Sequence, residues 1–378
     1  MDTVIPKRDE SLDAAFSRRA LDLAFGGVGL VSPNPLVGCV IVSESCEVVG
    51  EGTYTYGGVT HAEMIALSRA GELARGGTAY VSLEPHAHHG KTPPCTEALI
   101  RAGIARVVAP IEDPNPLVSG KGFEVLRSAG LDITTGILAL EAAKLNEKFI
   151  CWHKKSRPFV HLKLAMSLDG RISLGSSMST ALSGDAALAR VHEIRHEHDA
   201  ILIGGNTAFV DDPSLTDRSG NERRRPLVRV VLDNRLRIPT NSTLVKTASD
   251  VPTLVISKSC DAIKTDELRD LGVDVVQHDA RDLRGVLEIL RERELQSVLV
   301  EGGTEIAGAF RDAALIDKVT FMVSPRIIGG HDAPLAFGGR GASALDQALP
   351  LKEVTIEHHA EDIEITGYPQ DADRDASE

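Results

Sequence analysis

The chain has 378 residues, of which 42% are hydrophobic and 25% are charged; these proportions are typical of a globular protein and exclude a disordered or fibrous one. At about 150 residues per domain, this length predicts two or three domains. With 41 basic and 54 acidic residues the formal net charge is −13, and the resulting repulsion of polyphosphate argues against a general nucleic-acid-binding protein.

The first part of the chain alternates helix and strand patterns. Apolar residues at helical spacing and short β-branched runs predict helices at 11–25, 62–74 and 96–102 and strands at 37–42, 47–52, 78–83 and 106–110. Repeated alternation of the two patterns indicates α/β layering. A polar, basic segment at 144–157 precedes Pro158, so we expect a first domain over 11–150.

A second alternating series begins at Phe159. It predicts strands at 159–165, 200–204, 227–232, 253–256, 273–277, 297–301 and 318–323 and helices at 185–198, 283–293 and 305–313. This series indicates a second α/β domain over 158–366. The remaining residues, 367–378, are acidic and small, and we expect them to form a flexible tail.

Targeting and redox signals are absent from the pattern. The five cysteines are odd in number and scattered, which does not indicate a disulfide framework. The first ten residues are polar and charged, so we expect no signal peptide, and no stretch reaches 18 apolar residues, so we expect no membrane partner. We therefore expect a cytoplasmic protein and, because small α/β enzymes commonly pair, a homo-oligomer.

The densest chemistry lies between His61 and Cys95. An H-A-E triplet at 61–63 opens a predicted helix, E-P-H at 84–86 follows a predicted strand, and P-P-C at 93–95 precedes the next helix. Two imidazoles and a thiolate with a fourth position for water form a catalytic zinc arrangement, so we predict His61, His86 and Cys95 as ligands. A single H-x-E match is common by chance among 13 histidines, but the three motifs in this order favour a metal site.

Glu63 is the predicted catalytic residue of this site. Zinc lowers the pKa of a bound water to about 7, and Glu63, two residues after His61, could take the proton and deliver it to a leaving amine. The motif order follows that of zinc nucleobase deaminases, in which P-C-x-x-C comes after H-x-E. This chain departs from that pattern because His86 follows the proline in place of cysteine and the gap to Cys95 is longer.

The second half contains strand-to-loop junctions with binding potential. V-L-V-E-G-G-T at 298–304 passes from a predicted strand to a predicted helix. Gly302 and Gly303 could expose backbone N–H groups at the helix N-terminus, which is a natural phosphate site; the alternative is a tight turn that needs a positive φ. No G-x-G-x-x-G follows a first strand, which argues against a Rossmann domain.

Several motifs together resemble one family. S-P-N-P-L-V-G at 32–38, H-A-E at 61–63, L-E-P-H-A-H-H-G-K-T-P-P-C at 83–95 and E-D-P-N-P at 112–116 are similar to the RibD family of bifunctional deaminase/reductases of riboflavin biosynthesis. In the second half, K-L-A-M-S-L-D-G-R at 163–171 and D-D-P-S-L-T-D-R at 211–218 extend the resemblance. It covers nearly the whole chain, with both halves in the family's order.

The resemblance implies a fold and an activity. The fold would be an N-terminal three-layer cytidine-deaminase-like domain followed by a dihydrofolate-reductase-like α/β domain. The first domain would use Zn²⁺ to deaminate 2,5-diamino-6-(5-phosphoribosylamino)pyrimidin-4-one, and the second would use NADPH to reduce the ribosyl group to a ribitylamino phosphate. The partner would thus be a small phosphorylated pyrimidine.

The resemblance also implies residue roles in the second domain. Lys163 would be a catalytic residue near the reacting sugar. The substrate would contact Ser179, Arg195, Leu215, Arg218 and Glu301, and the two arginines could grip its phosphate. NADPH would contact Ala165, Thr207, Asp211, Asn234, Gly303, Thr304, Glu305, Ile306, Ala307, Gly308 and Ala309. Without the resemblance, Arg195 reads as an exposed helix arginine and Asp211 as a turn residue.

Departures from the family pattern leave alternatives open. His86 stands where the family usually has cysteine; because a neutral imidazole binds zinc well, we expect it to serve. The alternative is a reductase whose inactive deaminase domain holds a structural zinc. Ala181 replaces a frequent tryptophan, and Asn234 a frequent serine. A nucleic-acid deaminase or RNA-binding zinc protein is disfavoured by the net charge and by the lack of a basic, aromatic stripe.

Overall fold

The computed structural model describes residues 10–57, 60–88, 93–176 and 178–370. The chain divides into two compact units, and the boundary along the sequence falls between Ser156 and Arg157. Within the described residues, every helix is too short or too polar to cross a bilayer.

The first unit contains a five-stranded sheet in the order β2-β1-β3-β4-β5. β1 is antiparallel to β2 and β3, whereas β3, β4 and β5 are parallel. The strands are β1 (Gly38–Val42), β2 (Val48–Thr53), β3 (Thr78–Val81), β4 (Arg106–Val108) and β5 (Asp132–Thr134). The helices are α1 (Glu10–Phe25), α2 (Ala62–Ala70), α3 (Cys95–Arg101), α4 (Lys121–Ser128), α5 (Ala139–Leu145) and α6 (Glu147–Lys154).

Alternate residues of β1 explain the three layers of this unit. Val40 and Val42 pack with Ala20 of α1 on one face, while Cys39 and Ile41 belong to the cluster formed with α2 and α3 on the other. A strand covered on both faces is apolar throughout, which is why its sequence is a continuous apolar run. The first unit is therefore an α/β/α sandwich.

The second unit contains a nine-stranded sheet in the order β10-β9-β8-β7-β11-β6-β12-β14-β13. Neighbouring strands from β10 to β12 are parallel, and β14 and β13 join antiparallel at one edge. The strands are β6 (Phe159–Ser167), β7 (Ala200–Gly204), β8 (Val228–Leu232), β9 (Thr253–Ser257), β10 (Asp274–Gln277), β11 (Ser297–Val300), β12 (Lys318–Ser324), β13 (Leu351–His359) and β14 (Asp362–Pro369).

Helices cover both faces of this sheet. They are α7 (Asp185–His196), α8 (Gly205–Asp211), α9 (Thr243–Lys246), α10 (Ala262–Asp270), α11 (Leu283–Glu292) and α12 (Thr304–Asp312). Leu202 of β7 packs in the apolar cluster that contains α11 and α12, whereas Ile201 and Ile203 pack in the cluster that contains α8, α9 and α10. Helices on both faces leave the carboxyl ends of the parallel strands as the open edge, where ligands bind in such sheets.

One predicted helix is shorter than expected. The pattern at 62–74 predicts a single helix, but α2 ends at Ala70 because Gly71 takes a left-handed φ of 55°. Residues 71–74 continue as a 3₁₀ turn.

The predicted tail begins too early in the sequence. Gly367, Tyr368 and Pro369 belong to β14, which pairs with β12 and β13, so the expected boundary at residue 366 cuts a strand. The hairpin escaped prediction because β13 is the sheet's edge strand and most of its residues are exposed, which removes the alternation of buried and exposed positions. Residues 371–378 of the predicted tail lie outside the described residues.

Candidate active sites

Three potential metal ligands converge in the first unit. His61 immediately precedes α2, His86 follows β3, and Cys95 is the first residue of α3. An imidazole nitrogen from each histidine and the Cys95 Sγ all lie within 4.8 Å of one another. The rings of His61 and His86 are stacked with their centroids 4.3 Å apart. Two helix N-termini and one strand end thus bring together the residues that the sequence motifs single out.

The protonation states of these groups fit a metal site. Burial, together with the rings of His61 and His88, lowers the pKa of His86 to about 4. Near neutral pH its imidazole is therefore neutral and keeps a lone pair for a metal ion. Burial and the Glu63 carboxylate raise the pKa of the Cys95 thiol. A thiolate in such surroundings needs a cation beside it. Two imidazoles and a thiolate are a donor set that suits zinc.

Glu63 lies in the first turn of α2 and is only 3% exposed. Its side chain is hydrogen-bonded to Cys95, but its Oε2 atom is buried without a hydrogen-bond partner among the described residues. An unpartnered buried carboxylate oxygen is costly unless a bound molecule satisfies it. Its place beside the converging ligands suits a carboxylate that exchanges protons with a ligand-site water.

Glycines set the distance between β2 and α2, the helix that carries Glu63. A Cβ atom at Gly52 would lie 2.1 Å from the Ala62 carbonyl oxygen, and one at Gly50 would lie 2.1 Å from the Ala66 carbonyl oxygen. Since both obstacles are backbone atoms, a side chain at either glycine would push the helix outward. The start of α2, and with it the metal group, is therefore located by direct backbone contact with the hairpin.

Glu84 is a structural residue that sequence reasoning did not single out. Its buried carboxylate accepts hydrogen bonds from four backbone N–H groups, those of Asp113, Gly120, Gly122 and Phe123, at distances of 2.8–3.3 Å. These bonds fasten the segment from 113 to 123 to the end of β3, two residues before His86. Glu84 is part of the E-P-H triplet, so the sequence motif included it. The motif cannot reveal, however, which backbone N–H groups the glutamate binds.

The second unit contains a cavity of about 1160 Å³ at the carboxyl ends of its parallel strands. A typical small-molecule site has about 300–1,000 Å³, so this cavity has room for more than one ligand group. Most of the residues predicted for the second domain line it: Lys163, Ala165, Ser179, Arg195, Thr207, Asp211, Leu215, Asn234, Glu301, Gly303, Thr304, Glu305, Ile306 and Ala309.

Three charged residues form a buried network at one end of the cavity. The Arg195 guanidinium donates to both oxygens of Glu301 at 2.7 and 2.9 Å, and Lys163 Nζ lies 4.0 Å from Glu301 Oε2. Burial lowers the pKa of Lys163 although Glu301 opposes the shift. Burial alone would raise the pKa of Glu301, but the charges of Arg195 and Lys163 outweigh it and bring that pKa to about 2. The network keeps Glu301 ionised.

This network corrects one expected contact. The Nε–Nη2 edge of Arg195 already holds Glu301, and its Nη1 donates to the Thr216 carbonyl oxygen. That edge therefore cannot also grip a phosphate in the bidentate way. Arg218, the other predicted phosphate ligand, is exposed and absent from the cavity lining, and it donates to the hydroxyls of Thr216 and Ser214.

The Gly302–Gly303 junction has the predicted position at the N-terminus of α12. Neither glycine has a positive φ, so the tight-turn interpretation is not needed. A Cβ atom at Gly302 would lie 2.5 Å from Cβ of Ile306, whereas one at Gly303 would meet only ordinary contacts. Gly302 is thus required for close packing, and Gly303 leaves the helix N-terminus open toward the cavity.

Two residues of the predicted NADPH run face away from the cavity. Ala307 is buried in the apolar core, and a Cβ atom at Gly308 would lie 2.4 Å from the Gly338 backbone. The helical period explains the difference, because Glu305, Ile306 and Ala309 lie on the cavity side of α12 and the two intervening residues do not.

Comparisons with known proteins agree with this division of the chain. Residues 10–110 match the family described as the cytidine and deoxycytidylate deaminase zinc-binding region, and residues 158–365 match the RibD C-terminal domain. The riboflavin biosynthesis protein RibD of Actinobacillus pleuropneumoniae is 41% identical over 355 residues, which cover 93% of this chain and 94% of that protein.

Two solved structures share the fold over nearly the whole chain. Acinetobacter baumannii RibD, form 1, has a TM-score of 0.85 and 36% identity, covering 96% of this chain and 100% of that one. A Thermotoga maritima diaminohydroxyphosphoribosylaminopyrimidine deaminase/5-amino-6-(5-phosphoribosylamino)uracil reductase has a TM-score of 0.85 and 35% identity, with the same coverage of 96% and 100%. The expected fold class, a deaminase-like domain followed by a reductase domain, is confirmed.

Proposed function

This chain belongs to the RibD family, and on that premise we propose that it deaminates 2,5-diamino-6-(5-phosphoribosylamino)pyrimidin-4-one and then reduces the ribosyl group of the product with NADPH. The observation that carries the first step is the convergence of His61, His86 and Cys95 beside the unpartnered Glu63 oxygen. The cavity around Lys163 and Glu301 supports the second step.

In the first unit, His61, His86 and Cys95 would hold the zinc ion. Zinc, when bound, supplies the Lewis acidity that makes water a nucleophile near neutral pH. Glu63 Oε2 takes a proton as water adds to the carbon bearing the amino group. It gives that proton to the ring nitrogen and then carries the remaining hydroxyl proton to the departing amino nitrogen as the carbon–nitrogen bond breaks, so ammonia leaves and a carbonyl forms.

In the second unit, Lys163 and Glu301 face the reacting sugar. NADPH supplies the hydride that is added to C1 of the ribosyl group. The ring opens as the hydride is added, and one proton completes the reduction. Lys163 is the buried acid in this part of the cavity, and Glu301 stabilises its charged form, so the ammonium can donate that proton. Arg195 holds the Glu301 carboxylate in place.

Two activities measured on one preparation test this function. The full-length enzyme is expected to release ammonia from the diamino substrate, to lose this activity with a zinc chelator, and to regain it with added zinc. It is also expected to oxidise NADPH when given the deaminated product. NADPH oxidation without ammonia release would favour the alternative of a reductase with a structural zinc.

We extend the proposal to a homo-oligomer in the cytoplasm. β13 is an edge strand on which Val354 and Ile356 are 49% and 63% exposed, and an exposed edge of this kind is a pairing surface. Light scattering on the eluted protein and fractionation of the producing cells test the two statements. A monomer at working concentration, or recovery outside the cytoplasmic fraction, would contradict them.

A further inference from the structure

A group of arginines with no assigned role lines the end of the second-unit cavity remote from Lys163. Arg235 and Arg237 follow β8, and Arg281 precedes α11. All three are exposed, and no described residue forms a salt bridge or a side-chain hydrogen bond with any of their guanidinium groups. We name Arg235, Arg237 and Arg281 the basic rim.

The local fold directs these side chains outward. The Asp233 carboxylate accepts hydrogen bonds from the backbone N–H groups of Arg235 and Ile238, which closes a tight turn after β8. Leu236 and Ile238 within this turn are buried in the core. Arg235 and Arg237 alternate with them and are therefore exposed at the cavity mouth.

Asn234 joins the two segments that carry the rim. Its Oδ1 atom accepts from the N–H groups of Lys258 and Ala280 at 3.2 and 2.8 Å, and its Nδ2 atom donates to Asp279 at 2.6 Å. Both acceptor directions of the amide oxygen are thus occupied by the protein. Asn234 is thus a bridge between two segments of the cavity mouth. Arg235 directly follows Asn234, and Arg281 directly follows Ala280, so the bridge holds both arginines at this mouth.

The cavity has three chemically distinct regions along the strand order. Lys163 on β6 and Glu301 after β11 lie at one end, the open N-terminus of α12 is in the middle, and the basic rim lies beyond β8. β6 and β8 are separated by β11 and β7, so their ends are three strand spacings, about 14 Å, apart. NADPH has a matching sequence of groups: the nicotinamide, the pyrophosphate, and the adenosine ribose that carries a 2′-phosphate.

From this arrangement, which rests on the proposed NADPH function of the cavity, we propose that Arg235 and Arg281 bind the 2′-phosphate and make the enzyme select NADPH over NADH. Arginine suits this task because its planar fork binds phosphate oxygens in pairs. Four carboxylates, Asp211, Asp233, Glu301 and Glu305, also line the cavity, so the rim supplies the positive charge that an added dianion needs. Arg237 adds to that charge.

Calorimetric binding of two small probes tests the proposal without turnover. Adenosine 2′,5′-bisphosphate carries the 2′-phosphate, and 5′-AMP lacks it. We expect the full-length enzyme to prefer the bisphosphate at least tenfold. Arg235→Ala and Arg281→Ala are each expected to weaken bisphosphate binding about tenfold, the size of one charge-assisted phosphate contact, and to change 5′-AMP binding less than twofold.

Control variants and contrary outcomes are well defined. Arg326→Ala removes another exposed arginine, which is outside the cavity lining, and should leave both affinities unchanged. A double variant, Arg235→Ala with Arg281→Ala, that still prefers the bisphosphate would overturn the proposal, as would equal losses for both probes. Failure of the wild-type enzyme to oxidise NADPH with the deaminated substrate would instead overturn the proposed reductase function, whatever the probes show.

Discussion

Glu63 combines burial, a free oxygen and proximity to the ligand group in one side chain. Its neighbour Cys95 is pushed toward the neutral thiol by burial and by the Glu63 charge. In this arrangement a thiolate at Cys95 becomes favourable when a cation occupies the site. Glu63 therefore affects catalysis without holding the metal, and the two roles separate experimentally.

Glu63→Gln is expected to retain zinc and to lower ammonia release by about 10²- to 10⁴-fold, the usual contribution of a positioned proton-transfer group. The amide keeps the size of the side chain but cannot accept and return a proton. Metal analysis and an ammonia assay on the same sample measure both quantities. Glu72→Gln, an exposed position beyond the end of α2, is the matched control. Full activity in Glu63→Gln would remove the glutamate from the mechanism.

The ionised Glu301 carboxyl makes the free energy of unfolding depend on pH. The carboxyl has a pKa of about 2 when folded against an ordinary value of 4.5. Between these values the unfolded chain binds more protons than the folded one, so the stabilisation is complete above about pH 4.5 and is lost as the pH falls toward 2. The free energy at stake is on the order of 3 kcal/mol.

Glu301→Gln is expected to flatten this part of the pH dependence. Urea unfolding of the second unit at about pH 6 and about pH 3 measures it, because the difference between the two unfolding free energies should shrink in the variant. The variant is also less stable at pH 6, since Arg195 and Lys163 lose their partner. Glu288→Gln, at an exposed position of α11, should keep the wild-type slope. An unchanged slope in Glu301→Gln would contradict the assigned ionisation.

At the scale of elements, the contact between β2 and α2 controls the first site. Gly50 and Gly52 face backbone carbonyls of the helix, so the helix approaches the strand as closely as two backbones allow. Ala62, Ala66 and Ala70 are the buried small residues on the facing side of α2. The position of His61 and Glu63 is thus a consequence of residues that touch neither metal nor substrate.

Gly52→Ala is expected to destabilise the first unit by roughly 1–3 kcal/mol, the usual cost of forcing an added group into a packed contact. It should also lower zinc affinity, because the start of α2 must move. Gly57→Ala is the matched control, since a Cβ atom there meets nothing within 4 Å. Thermal unfolding and competitive chelation compare the variants. Equal behaviour of the two would show that the close approach has no effect on the site.

At the scale of the whole molecule, the residues of the two proposed active sites lie in different units. The metal group lies before Ser156, and the cavity with its charge network lies after Arg157. No residue of one set belongs to the other. The two activities should therefore respond to substitutions independently.

Cys95→Ala is expected to lose zinc and ammonia release while keeping NADPH oxidation with the deaminated substrate. Lys163→Ala is expected to show the reverse, with reduction lowered by about 10²-fold or more. Circular dichroism and zinc content report whether each variant remains folded. Loss of both activities in a folded single variant would show that the units depend on each other.

The sequence predicted the architecture of both units well because their sheets are strongly apolar. β1, β7 and β9 are buried along their whole length, and such strands leave a clear pattern. β13 left none, since an edge strand exposed on most of its length needs no apolar alternation. Six of the described helices, α4, α5, α6, α8, α9 and α10, were not predicted either. In α6, polar and basic residues were interpreted as a linker.

The site residues could be predicted where the residue types and their spacing themselves indicate a chemical role. His61, Glu63 and Cys95 have a motif with a mechanism, and their convergence follows from where the helices begin. The Glu84 clamp, the Arg195–Glu301 fork and the Asn234 bridge depend on contacts between residues 24 to 106 positions apart. Hydrogen-bond partners at such separations are decided by the packed fold, and a residue pattern does not contain them.

The carbonyl contacts of Gly50 and Gly52 limit how this chemistry can be moved to another protein. Smaller side chains on α2 would not relieve a clash with main-chain oxygen, so no compensating replacement exists on the helix. Transferring His61, Glu63, His86 and Cys95 to another protein would therefore require the β1–β2 hairpin and α2 to be transferred with them as one unit. Copying the four side chains alone onto a foreign scaffold would leave their spacing to chance.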